Sequence, residues 1–230
     1  MSRLKVLQQE LKQIADQNWA SNYQRFFKTK TGQYAAKDRF LGVSVPKQRQ
    51  LAKKFYQLNL SEIIQLLNSP WHEFRFTALI ILIIKYQSAH QEEKDKIIKL
   101  YLQYLNRINN WDLVDLSAPK ILGDYLLNLK QSEVKKILMK LVNSSNFWQR
   151  RIAIVATQAF IKKGKSELTF SIVRQLINDP EDLIHKANGW MLREVDKYCG
   201  RKVLISFLDQ EINYLDRTTL HYALEHFTEK

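Results

Sequence analysis

The chain has 230 residues, 45% hydrophobic and 26% charged, enough apolar side chain for a continuous core in one domain or at most two. With only 6 glycines and 4 prolines it is poorly supplied for the many turns of a sheet-rich fold. Lys and Arg number 36 against 23 Asp and Glu, and a net charge of +13 points to a polyanionic partner, with a generally basic soluble surface as the plainer reading.

Leu4, Leu7, Leu11 and Ile14 repeat at three- and four-residue steps, as one face of a helix must. Residues 1–18 lack the unbroken apolar stretch of a signal peptide. Residues 28–40 show no clean period, are rich in cations and predict a loop of the kind that carries function on a rigid scaffold. Helical stripes follow near 46–58, 61–68, 71–87, 91–107, 118–129, 133–141, 147–162, 166–177, 182–197 and 201–208. Ser69-Pro70 and Asp179-Pro180 each stop one helix and open another. Ser61 and Ser132 read as N-caps, and Gly164 and Gly200 as C-terminal glycines.

Two such helices with their turns occupy about 35–45 residues, the period of HEAT-type repeats. The expected fold is therefore all-α, a superhelical solenoid of antiparallel helix pairs (HEAT-like or ARM-like), forming a single domain over 1–230. A compact helical bundle is the alternative.

The longest apolar run, Ala78–Ile84, is ended by Lys85 and is too short to span a bilayer. No helix combines a large apolar face with a lysine-lined one, so no membrane partner is expected. Cys199 is the only cysteine, which excludes an intrachain disulfide and a zinc site. His72, His90, His185, His221 and His226 have no metal-ligand spacing, and no phosphate-binding glycine loop is present. A cytoplasmic, monomeric protein without metal or cofactor is expected.

Large residues on the wrong face of their helix mark a candidate site. Around 182–197, Ile184, Asn188, Met191, Leu192 and Val195 form the buried stripe, while Trp190 falls beside Lys186, Arg193 and Lys197. An aromatic among cations suits a nucleic-acid surface, where the ring packs on sugar or base and the cations hold phosphates. Burial under a neighbouring helix is the other reading of Trp190. In Trp111-Asp112-Leu113-Val114-Asp115-Leu116, Leu113 and Leu116 share one side. Trp111 and Asp115, four apart, share the other. Asp112 reads as a helix-start residue; Asp115 reads as a carboxylate beside an indole or as half of a structural salt bridge. Around 147–161, Trp148, Ile152, Val155, Ala156 and Ala159 form the core stripe. Arg150 then reads as a solvated cation, and Arg151 lies at the stripe's edge. Lys53-Lys54, Lys135-Lys136 and Lys162-Lys163-Gly164-Lys165 are by default solvated charge runs.

Asn109-Asn110-Trp111-Asp112-Leu113-Val114-Asp115, then Asn146-Phe147-Trp148-Gln149-Arg150-Arg151-Ile152-Ala153-Ile154, then His185-Lys186-Ala187-Asn188-Gly189-Trp190-Met191-Leu192-Arg193-Glu194 closely resemble motifs of the AlkD-like DNA alkylation repair family. Phe40-Leu41-Gly42-Val43, followed by Pro46 and Arg49, looks like that family's entry into its second repeat. The resemblance covers about residues 20 to 227.

It implies HEAT-like repeats whose concave basic face holds duplex DNA, and glycosylase activity on cationic N3- and N7-alkylpurines without a base-flipping pocket. On this resemblance Asp115 corresponds to the catalytic carboxylate, Trp111 and Trp190 to the aromatic pair at the lesion's deoxyribose, and Arg151 to an arginine on the phosphate backbone. Arg150, Lys186, Arg193, Lys47 and Arg49 are further candidate DNA contacts, and Tyr23 corresponds to a tyrosine of the second helix. Residues 28–40 depart from the compact form of the family, which puts the substrate range in question. Two other functions fit parts of the sequence: a non-catalytic module for branched, bent or damaged DNA, and a protein-binding scaffold.

Overall fold

A computed structural model of the chain describes residues 2–36 and 38–227. Lys37, within the expected loop 28–40, lies outside the described residues, as do the two ends of the expected domain 1–230. The described residues form helices and turns. Their one β-type pairing is an isolated bridge between Arg39 and Trp71. None of these helices is long and apolar enough to cross a membrane. The chain divides into two compact units, residues 1–117 and 118–230.

The first unit comprises α1 (Arg3–Gln13), α2 (Gln17–Phe26), α3 (Val45–Lys54), α4 (Leu60–Leu67), α5 (His72–Ser88), α6 (Gln91–Gln103) and α7 (Trp111–Ser117). Its centre is α5, apolar on nearly every side. Residues from Phe74 to Ile83 are buried without a break, and α1, α3, α4, α6 and α7 pack round them. A helix apolar all round belongs in the middle of a core. Short polar caps start its neighbours. The Asp16 carboxylate accepts from Asn18 N and Trp19 N at the head of α2, and Asn59 with Glu62 forms a capping box at the head of α4. The cap of α4 is thus Asn59 rather than Ser61, whose hydroxyl instead donates to the Asn59 side chain.

The second unit begins with a π-type turn (Pro119–Gly123) and α8 (Asp124–Leu126). It continues through α9 (Gln131–Val142), α10 (Phe147–Ala156), α11 (Gln158–Ile161), α12 (Glu167–Gln175), α13 (Asp182–Cys199), α14 (Arg201–Glu211) and α15 (Arg217–Ala223). Helix α9 starts one residue before Ser132. The Glu133 carboxylate, not a serine hydroxyl, accepts the Lys130 N–H there. Here α13 is central, packed on α10, α11, α12, α14 and α15. Gly189 lets α15 come close: a Cβ at this position would run into the Thr219 carbonyl and the Tyr222 side chain.

Gly164 and Gly200, with φ of 73° and 105°, stand where helices end, as their positions in the sequence predict. The predicted stripe 118–129 is not a regular helix. Pro119 removes a backbone donor, and Gly123 N bonds back five residues to Ala118 O at 2.8 Å, a π-type closure. Three helices, α2, α7 and α15, are absent from the predicted stripes, although α7 covers the segment 111–116 read separately at helical spacing.

Candidate active site

The site in the first unit is built on the first turn of α5. His72, Glu73 and Arg75 are all buried there, at the head of a helix whose remainder is apolar. Buried charge requires partners, and each of the three has them. The Glu73 carboxylate accepts the backbone N–H groups of Leu41, Gly42 and Val43 at 2.9, 2.8 and 3.3 Å. Gly42, at φ 80°, lies against the Asp16 carbonyl and the Ala20 amide, where no Cβ fits. Asp16 N donates to Leu41 O at 2.9 Å. One carboxylate therefore holds the segment on which the start of α2 rests.

His72 sits between two carboxylates. Its Nε2 is 2.7 Å from Asp112 Oδ2 and its Nδ1 is 3.4 Å from Asp38 Oδ2. Asp38 is also 2.7 Å from Arg75 Nη2 and accepts from Asn110 Nδ2 at 3.4 Å. Burial by itself lowers the imidazole pKa. The Asp112 charge and hydrogen bond, with the bond to Asp38, outweigh it and push His72 up to about 9. The opposite holds at Asp38: burial raises its pKa, and the bonds and charges of His72 and Arg75 bring it below the ordinary carboxylate value.

A tier of rings lies on this charged layer. His72 stacks on Phe40 (centroids 4.7 Å apart, planes at 23°), Phe40 on Phe27 (5.1 Å, 13°), and Phe27 on the indole of Trp111 (5.2 Å, 26°). Phe26 adds an edge contact to Trp111 at 5.7 Å. Tyr23 packs its edge on Phe40, and both burial and the Glu73 charge hold its hydroxyl above the usual phenol pKa.

Helix α7 presents the residues at issue. The buried Asn110 accepts the Trp111 N–H on its side-chain oxygen, and Asp112 accepts the Leu113 N–H while it grips His72. At the far end the Ser117 hydroxyl donates to Leu113 O and meets Tyr101 OH at 2.9 Å. Leu113, Val114 and Leu116 enter the core, leaving Trp111 and Asp115 half-buried one turn apart on the other side. Asp112 is thus more than a helix-start residue.

In the second unit the motif residues lie on α10 and α13. Arg150, expected as a solvated cation, is instead a tie. Its guanidinium pairs with Asp179 at 2.5 Å and donates to Ser144 O at 2.9 Å, with its side chain 13% exposed. Asp179 sits in the turn before α13, where its carboxylate also accepts Glu181 N, and this local need draws the arginine in. Arg151, expected at the stripe's edge, is buried and donates to Leu183 O. Lys186 pairs with Asp182 at 2.8 Å, and Arg193 pairs with Glu225. Trp190 is half-buried, neither fully covered nor fully open. Lys47 and Arg49 stand exposed on α3.

Sequence reasoning missed the Asp38–His72–Asp112–Arg75 cluster and the ring stack. One signal was available: His72-Glu73-x-Arg75 puts three ionisable residues at the head of the most apolar stretch in the chain, where each must find a buried partner.

The family model of DNA alkylation repair enzymes matches residues 7–227. Among solved structures, a predicted DNA alkylation repair enzyme from Enterococcus faecalis shares the fold. Its TM-score is 0.71 at 18% identity, over 94% of this chain and 98% of that one. No curated protein matches the sequence. Matched over nearly its whole length, this chain belongs to the DNA alkylation repair enzyme family, with DNA as its substrate.

Proposed function

We propose that the protein is a monofunctional alkylpurine DNA glycosylase that hydrolyses the N-glycosidic bond of N3- and N7-alkylated purines in duplex DNA. The supporting observation is the pair on α7: a half-buried carboxylate, Asp115, one turn from the half-buried indole of Trp111, itself fixed by the Phe27 stack.

The chemistry needs little else. An N7- or N3-alkylpurine carries a positive charge, so its glycosidic bond is already weakened and the base leaves neutral without a general acid. The protein must stabilise an oxocarbenium-like sugar and direct water to it. In this reading Asp115 does both, by its charge and as a base. The Trp111 ring face favours the developing positive charge, an effect of about 0.5–2 kcal/mol. Trp190 and Arg151, on the second unit, enter through their motifs. Trp190 would serve as an aromatic contact to the DNA and Arg151 as a contact to its phosphate backbone. Lys47, Arg49 and the charge of +13 support duplex binding.

The test is release of free 7-methylguanine or 3-methyladenine from methylated duplex by the protein and by Asp115→Asn. The variant should bind DNA normally and release base about 100- to 1000-fold more slowly. Equal rates would remove Asp115 from the chemistry. Salt-dependent binding with no release by either protein would make it a non-catalytic damage-binding module.

A further inference from the structure

Both partners of His72 are carboxylates, which when ionised only accept hydrogen bonds. A neutral imidazole has one N–H and turns a lone pair on whichever carboxylate it does not serve. Only the doubly protonated ring serves Asp38 and Asp112 together. Those two carboxylates lie on different parts of the first unit: Asp38 is in the 28–40 loop, two residues before Phe40, and Asp112 is in the first turn of α7, next to Trp111. The ring's faces are engaged as well, stacking on Phe40 and lying 5.2 Å from Phe27, which carries the Trp111 indole.

We propose that protonated His72 is a positioning residue of the active site: its two N–H bonds join α7 to the 38–40 segment and so fix Trp111 on its ring stack, and with it Asp115 one turn along the helix. This rests on the glycosylase reading of α7. His72 never meets the substrate. It acts by holding the helix that does, and a misplacement of even about 1 Å costs as much as a hundredfold in rate.

Burial opposes the charge on His72, and the fields of Asp112 and Asp38 restore it. Every charged or titratable group facing the cluster enters this balance. Asp38 comes from the loop, Asp112 from α7, Glu73 and Arg75 from α5 itself, Tyr23 from α2, and Arg107 from the turn before α7. The raised value fixes the sign: the joint is complete below the ordinary imidazole pKa of about 6.5 and is lost as pH rises through about 9.

The experiment is the pH profile of single-turnover base release for the wild type, Asp112→Asn and His72→Gln, with the His72 ring followed by NMR. Wild-type rate should fall along an alkaline limb that coincides with the ring titration near 9. In Asp112→Asn an amide oxygen still accepts the Nε2 proton, but the largest charge holding His72 protonated is gone. The limb and the ring titration should move down together toward about 6.5. His72→Gln should be about 10- to 100-fold slower at neutral pH and lack the limb. A limb unmoved in Asp112→Asn, or a ring titrating at its ordinary value in the wild type, overturns the proposal even if His72→Gln fails to fold. Should the wild type release no base, the same titration is read in the emission that the wild type has and Trp111→Phe lacks. Emission that follows the ring, and shifts in Asp112→Asn, upholds the positioning role while the glycosylase reading falls. Emission indifferent to the ring overturns both.

Discussion

Arginines that look alike in the sequence do different work in the structure. Arg150 is tied to Asp179 and two carbonyls, whereas Arg49 stands in solvent on α3. Removing Arg150 leaves the Asp179 carboxylate, 3% exposed, without its counter-charge. Arg150→Ala should therefore lower stability by about 3–5 kcal/mol, read by urea denaturation. Arg49→Ala should leave stability within about 0.5 kcal/mol and reduce the salt slope of DNA binding by about one. A stable Arg150→Ala with a reduced slope would reverse the two roles. At this scale the sequence was most easily misread. Helical periodicity tells which way Arg150 leaves its own helix, but not that a turn nearly thirty residues later offers a carboxylate to meet it. For the same reason Asp112 read as a helix-start residue: its partner His72 is 40 positions away.

Elements were more legible, because an apolar stripe is a local property of the chain. The stripes at 61–68, 71–87 and 182–197 lie within a residue or two of α4, α5 and α13. Helix α2 escaped the reading by periodicity because its buried side holds only Ala20, so no apolar stripe runs along it, and only the resemblance placed Tyr23 on a helix. Its aromatics serve the ring stack, or, as with Trp19 and Phe26, stay exposed. Helix α15 is short and buries only Thr219 and Ala223, and it comes closest to α13 where Gly189 faces the Thr219 carbonyl and Tyr222. That fit carries a prediction. Gly189→Leu should force α13 and α15 apart and destabilise the protein by about 1–3 kcal/mol, seen as a lower urea midpoint. It also sits beside Trp190, so base release by this variant should fall further than its stability loss explains. Unchanged stability would mean that the two helices do not need their close approach.

At the scale of the whole molecule the dominant quantity is charge. With 36 cationic side chains against 23 anionic ones, binding to duplex DNA should weaken steeply with salt, in a linear relation of log affinity to log salt. Titration of an unmodified duplex at several salt concentrations measures that slope. A slope near zero would argue that the excess charge serves solubility alone. Family and fold class were readable from three ordered motifs and the sparse turns. The positioning layer beneath Trp111 was not, since no motif spacing reports a contact made through the core.

The way in which the first turn of α5 gathers its partners has a consequence for folding kinetics. Leu41 and Glu73 are 32 positions apart, and His72 and Asp112 are 40 apart, so the cluster closes two long loops at a single turn of helix. Contacts of that sequence separation bear the closure entropy of the loops they join, which favours a late place for this junction in folding. On the ribosome, His72 waits for residue 112 to emerge before its second carboxylate exists. Helix α5 is therefore complete at Ser88 with Glu73 and Arg75 already supplied with partners from residues 38–43, while His72 has Asp38 alone until residue 112 is made.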